Sequence, residues 1–315
     1  MRGEEGNCII IRIHLIPEEE LKEMTALLVA GMTLLFSFQS LFCKLFSQKH
    51  NSGSPAVTSS VFSITYGAFA GIVTLILAGF RFAPSGQTLL IGLLNAVILL
   101  IYNTAMIEAS RMGSYSFQMI CVLFGGIVLP LLHQVLFLGG TLNLIQAVAI
   151  VLMLAAFILL NLKGLTLKGS TGKFILWCAA LFLANGMYSI LMNLQQRVMN
   201  GTERNEMIIL TYLGMSLLYA AWQGIRNRKA LAEGFRISRE PLIYLLLCCV
   251  SATVAAHLML YLLTLVDAPV LYTIDNGGVL VLSVLYSCIL FREKLKPAQI
   301  VGIVLSAASI IMLSL

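Results

Sequence analysis

Of the 315 residues, 59% are hydrophobic and 11% are charged, where a soluble domain carries about 25% charged residues. That leaves too little polar surface to clothe a water-soluble globule, which excludes a soluble enzyme or binding module. The formal charge of +6 comes from basic residues in the breaks between apolar runs and forms no extended patch, so it speaks of topology and lipid headgroups and not of nucleic acid.

The first segment, Met1 to Glu23, is mixed and charged, with Glu18, Glu19 and Glu20 in a row. Its apolar stretch is short and interrupted by Arg12 and His14, unlike a signal peptide. Met24, directly before the first apolar run, is the expected start of translation. From there ten apolar runs alternate with breaks, at 25–46, 56–80, 87–108, 115–137, 142–162, 173–195, 206–225, 241–264, 269–291 and 296–315. About 20 apolar residues suffice for one crossing. The runs are continuously apolar and do not alternate, which favours helices over barrel strands. Between them lie turn and charge signals such as Asn51 to Pro55, Lys163 to Lys173 and Asn227 to Glu240. The seven cysteines show no Cys-x-x-Cys or Cys/His ligand spacing, so no metal or other cofactor is expected.

The two halves resemble each other. Phe124-Gly-Gly-Ile-Val128 answers Asn276-Gly-Gly-Val-Leu280, Leu142-Asn-Leu-Ile-Gln146 answers Leu295-Lys-Pro-Ala-Gln299, and Ser47-Gln-Lys49 answers Gln195-Gln-Arg197. These pairs stand roughly 148–153 positions apart, as a duplication of five spans requires. Five is odd, so the second copy enters the membrane from the opposite side. The expected architecture is an all-α membrane protein of about ten transmembrane helices in two inverted five-helix repeats. Its parts are a leader (1–23), a first repeat (24–162), a linker (163–172) and a second repeat (173–315).

The stretch from Leu290 to Leu305 resembles the closing signature of EamA-type members of the drug/metabolite transporter superfamily: an acidic residue, then Gln and Gly opening the last helix, here Glu293, Gln299 and Gly302. The first half keeps Gln146 but has Gly140 and Ala149 at the other two places. The resemblance runs from about Met24 to Leu315. It implies two inverted repeats around a cavity lined mainly by spans 1, 3, 4, 6, 8 and 9. Glu293 itself reads as a helix cap, since a carboxylate complements the positive end of a helix.

Polar residues recur at helical spacing in those same spans, where a lipid-facing position is costly. Span 1 carries Thr33, Ser37, Ser40 and Lys44; span 3 Asn95, Tyr102 and Asn103; span 4 Tyr115 and Gln118. Span 6 carries Asn185, Tyr188, Ser189 and Asn193; span 8 Thr253, His257 and Tyr261; span 9 Tyr272, Asp275 and Asn276. The candidate substrate-binding set is Ser37, Ser40, Asn95, Tyr102, Asn103, Tyr115, Gln118, Asn185, Tyr188, Ser189, His257, Tyr261, Tyr272 and Asn276. Interhelical hydrogen bonding alone is the competing reading, stronger for the Ser and Thr hydroxyls.

Asp275, about 12 Å along its helix from Asp267 at 1.5 Å per residue, is the candidate proton-coupling residue. His257 is its partner or a second proton site. Apart from Lys44 no Lys or Arg lies deep in a span, which disfavours phosphorylated substrates.

The expected function is therefore alternating-access transport of a small neutral, zwitterionic or cationic metabolite, proton-coupled through Asp275. Export in a bacterial plasma membrane is expected by resemblance. The expected partners are a small-molecule substrate and membrane lipid, with the chain a monomer or homodimer. An intramembrane enzyme acting on a lipid-linked substrate lacks any His-Glu-x-x-His, Gly-x-Ser-x-Gly or carboxylate pair; a non-transporting sensor leaves the repeat unexplained. Orientation stays open. Six Lys and Arg fall on the side of the termini and fourteen on the other, which puts the termini outside, whereas the resemblance implies cytoplasmic termini.

Overall fold

A computed structural model describes residues 18–50, 55–112, 115–141, 143–160, 172–290 and 297–314, without the side chains of a few helical positions among them. The described residues form ten helices: α1 (Glu18–Lys49), α2 (Pro55–Leu77), α3 (Gly86–Met112), α4 (Tyr115–Phe137), α5 (Leu144–Leu160), α6 (Gly172–Val198), α7 (Arg204–Gly234), α8 (Arg239–Leu262), α9 (Ala268–Leu290) and α10 (Pro297–Ser314). Among the described residues six helices are long and apolar enough to cross a membrane, and shorter apolar stretches lie on α4, α5, α9 and α10. Large apolar side chains such as Leu90, Leu94, Val151, Leu176 and Val304 point outward. An outer surface so apolar belongs in lipid.

Two elements depart from the expected boundaries. Helix α1 begins at Glu18, inside the segment read as a leader. Helix α7 kinks at Asn227 (φ −157°, ψ 62°), where the expected break begins, and a further helical segment continues within that break to Gly234. The tail of α7 is held because Gly234 packs on Val57 and Val61 of α2. Near its start, Ile209–Leu213 form a π-helical turn, a rare form that clusters at functional sites. Glu293 lies outside the described residues. Its first-half neighbour is clear: Gln146 N–H donates to Asn143 Oδ1 (2.7 Å) and Asn143 N–H to Gln146 Oε1 (3.3 Å), a capping box that opens α5. Gln299 occupies the same third position in α10.

Tertiary contacts couple helices far apart in the chain. Helix α1 packs chiefly on α8 and α9, α6 on α3 and α4, α2 on α7, and α5 on α10, with α4 and α9 meeting between them. Side-chain bonds fix the ends. Glu203 and Gln195 reach Ser85 and Thr88, and Arg197 approaches Asp267 (3.9 Å), so the start of α3, the α6–α7 turn and the α8–α9 turn share one face, hereafter the Ser85 face. Lys49 pairs with Glu240 (3.1 Å) at the other, hereafter the Lys49 face, where Arg226, Arg228, Lys229, Arg236 and Arg239 are all exposed.

Backbones approach closely between α2 and the π turn. A Cβ on Gly67 would collide with the Tyr212 carbonyl oxygen, one on Gly71 with Leu213, and one on Gly92 of α3 with Leu210. Ser216 Oγ donates to the Ile64 carbonyl across the same contact (2.8 Å). Gly67→Val is therefore expected to cost about 1–3 kcal/mol of stability through overpacking, read as a lower melting temperature in detergent. Gly31→Ala, with nothing within 4 Å of the new Cβ, should leave it unchanged or slightly raised.

Candidate functional site

The interior polar groups gather around a cluster of tyrosines. Tyr66 of α2 stands edge-on to Tyr212 in the π turn, with ring centroids 5.2 Å apart. The Tyr212 hydroxyl lies 2.8 Å from that of Tyr188 on α6. Tyr272 of α9 donates its hydroxyl to the Ser189 carbonyl oxygen (2.9 Å). Phenols suit this place, because each ring fills apolar volume and each O–H finds a partner without water.

One turn further along α6, Asn185 donates to the Val122 carbonyl of α4 (2.8 Å), and Asn276 to the Tyr272 carbonyl of its own helix (2.7 Å). Both amides close over Gly126, where a Cβ would stand 2.6 Å from Asn185 Nδ2 and 3.3 Å from Asn276 Nδ2. A glycine here is what lets α6 and α9 bring two carboxamides to one point on α4.

Asp275 faces α1. Gly278, one turn on, has Thr33 of α1 where its Cβ would be. Asp275 is 8% and Thr33 7% exposed. The Thr33 hydroxyl is the polar neighbour of the carboxylate, and the geometry between them falls short of a full hydrogen bond at Asp275 Oδ1 and Thr33 Oγ1. Two adjoining buried oxygens without a full hydrogen bond are a costly arrangement.

The other candidates divide. Ser37 is buried, donating to the Leu34 carbonyl (2.6 Å) and lying 2.8 Å from the Tyr286 hydroxyl, whereas Ser40 is exposed. Asn95 is fully buried and donates to Thr211 Oγ1 (3.4 Å). Asn103 donates to Met215 Sδ (3.2 Å). Tyr102 packs against the apolar cluster that contains Ala105, Val122 and Phe174, and Ser189 bonds back to Asn185. Tyr115 and Gln118 lie on α4, but their side chains, like that of Lys44, are outside the described residues. His257 has Thr74 of α2 for its partner (Nε2 to Oγ1, 3.1 Å) and not Asp275. With Tyr261, whose ring lies 5.3 Å from the Arg204 guanidinium carbon, it belongs to the Ser85 face.

Sequence reasoning missed Tyr66, Tyr212, Thr74 and Arg204. A signal for the first two was present: Thr65-Tyr66-Gly67 and Thr211-Tyr212-Leu-Gly214 fall at matching places in the two halves.

A polar knot closes the Ser85 face. Glu203 Oε2 accepts from the Ser85 N–H (3.0 Å) and hydroxyl (2.9 Å), while Ser85 Oγ caps α3 by accepting from Thr88 N–H (3.2 Å). Gln195 Nε2 donates to Thr88 Oγ1 and to the Thr202 and Glu203 carbonyls, with Gln196 bonded to Gln195.

The sequence profile of the EamA-like transporter family matches residues 174–315. The EamA-like part thus supplies α6 to α10, and with them Tyr188, Tyr212, Tyr272 and Asp275. No curated protein matches the chain. A solved crystal structure is similar in fold, with a TM-score of 0.69 at 14% identity, covering 90% of this chain and 94% of its own. Membrane-crossing helices and a transporter-family domain make this an integral, multi-pass membrane protein.

Partial burial pushes the Glu203 carboxyl up, but donation from the Ser85 N–H, Thr88 and the Ser85 hydroxyl outweighs it and leaves the pKa below the usual value. A depressed carboxyl stabilises the fold above its unfolded pKa, about 4.3, and that contribution is lost as pH falls through the folded value. Wild type should therefore melt above Glu203→Gln from neutral pH down to roughly pH 5, with the gap closing below that. Melting curves of both proteins across pH 3–8 check it.

Proposed function

We propose that this protein is a secondary transporter working by alternating access, with ten membrane-crossing helices in two inverted five-helix repeats. The supporting observation is the pattern of helix contacts. Exchange α1 with α6, α2 with α7, α3 with α8, α4 with α9 and α5 with α10, and each main contact becomes another. The pair α1–α8 becomes α6–α3, α1–α9 becomes α6–α4, α2–α8 becomes α7–α3, and α9–α10 becomes α4–α5. The pairs α2–α7, α4–α9 and α5–α10 map onto themselves. Such exchange lets a protein open one central site to either face by trading the conformations of its halves.

The substrate is a small neutral, zwitterionic or cationic metabolite. Part-buried Asn185 and Asn276 at Gly126, with part-buried Tyr188 one turn along α6 from Asn185, offer amide and phenol contacts with no fixed positive charge, which suits such a solute and not a phosphate. Asp275 is the coupling group: an intramembrane carboxylate with an unpartnered oxygen can take up and release a proton as the site meets either side. The membrane is a bacterial plasma membrane and the direction export, by family likeness. The exposed arginines and lysine of the Lys49 face orient that face to the cytoplasm.

Purified protein in liposomes with an imposed pH gradient, screened against amino acids, amines and polyamines, tests this. A substrate should accumulate in response to the gradient, and Asp275→Asn should retain substrate binding but lose the response. Accumulation undiminished in Asp275→Asn would remove the carboxylate from the coupling, and failure of every solute to move would remove the transporter reading.

A further inference from the structure

A second polar site lies at the mouth of the Ser85 face, apart from the tyrosine cluster. A cavity of about 410 Å³ is lined by Gly201, Glu203, Arg204, Asn205, Glu206 and His257, within the roughly 300–1,000 Å³ range of small-molecule sites. Asn200 (φ 49°), Gly201 (φ 73°) and Glu203 (φ 55°) hold left-handed backbone, and the turn they make points the Gly201 carbonyl at Arg204. Arg204 Nε donates to that oxygen (2.7 Å) and its guanidinium lies over Tyr261. One edge and one face are thereby anchored. Among the described residues Arg204 forms no ion pair, so a half-buried cation held from two sides lacks a carboxylate to meet it.

The start of α7 adds to this. Glu203 stands at its N-cap but makes no side-chain cap, because its carboxylate is committed to Ser85 on α3. The first N–H groups of α7 belong to residues that line the cavity, and an uncapped helix start attracts an anion. Glu206, on the first turn, brings one negative charge to the same wall.

We infer that this mouth binds a zwitterionic solute. Its carboxylate lies on the Arg204 fork and the α7 start, and its ammonium group faces Glu206, with Tyr261 and His257 beside it. Planar guanidinium suits a carboxylate better than a point charge does. Resting on the transporter reading, this makes the site a recognition station before the central tyrosines, and it narrows the solute to one bearing both charges.

The test is binding, read without transport. Full-length protein in detergent is screened with the standard α-amino acids by thermal shift. The tightest binder is then titrated calorimetrically beside its amide, which lacks the carboxylate, and its deaminated acid, which lacks the ammonium. Arg204→Gln should weaken the amino acid and the acid about 10- to 100-fold and leave the amide unchanged. Arg204→Lys, folding checked by its melting curve, should recover only part of that loss. Glu206→Gln should weaken the amino acid and the amide but not the acid.

Equal affinity of the three ligands, unchanged binding in Arg204→Gln and Arg204→Lys, or no binding by any amino acid overturns the proposal. Binding that maps to Arg204 while no solute moves in liposomes would keep the site and remove the transporter reading. Transport with Arg204 variants of full affinity would do the reverse.

Discussion

Hydrocarbon gives α2 and α7 no water to exclude, so what holds them together is how deeply their backbones interlock. That depth is set by glycine. Gly67 and Gly71 on α2 and Gly92 on α3 leave room for the π turn of α7, Gly125 lets α4 lie against the Phe182 carbonyl of α6, and Gly278 admits Thr33 of α1 against α9. The polar meetings of the candidate site lie beside these approaches. Tyr212 reaches Tyr188 and Tyr66 from the π turn, Asn185 reaches α4 over Gly126, and Asp275 faces Thr33 beside Gly278. The small residues place the helices, and the placement sets the chemistry.

Much of the scaffold was legible because the bilayer imposes one length and one polarity on each crossing. The run 115–137 coincides with α4, and 269–291 differs from α9 by one residue at each end. The kink of α7 was legible, since the Arg226-Asn-Arg-Lys run reads as a break and the backbone leaves helical geometry at Asn227. The helical segment beyond it was not, because what accompanies it is the packing of Gly234 on Val57 and Val61 of another helix. The π turn has no sequence signature, since its extra residue is accommodated by glycines on two other helices. It was the tandem likeness of Leu142–Gln146 and Leu295–Gln299 that pointed to helix starts, and the Asn143–Gln146 capping box supplies the reason for its glutamine.

Site residues were legible by element and less so by partner. Spacing of three and four placed Ser37 and Ser40 in one stripe, yet one is buried and the other exposed, because a stripe wider than its contact spills onto the outer surface. His257 and Asp275 invited pairing as interior ionisable groups, but they sit on different helices with Thr74 and Thr33 as neighbours. Periodicity orders residues along one helix and carries no information on which helix comes opposite. Arg204 escaped notice because it opens a span, where a basic residue reads as a topology marker. Its meaning depends on Gly201 and Tyr261, 60 positions apart from each other: one takes its Nε–H, the other its face.

The crossed pairing of helices also bears on how the chain is made. Helix α1 ends at Lys49 and its chief partner α8 begins at Arg239, about 190 residues later. At 5–20 residues per second, synthesis of that interval takes roughly 10–40 s. Throughout it α1 lacks its chief partner, its Thr33 face waits longer still for α9, and α3 likewise waits for α6. The first five helices gain their most extensive contacts only as the last five arrive.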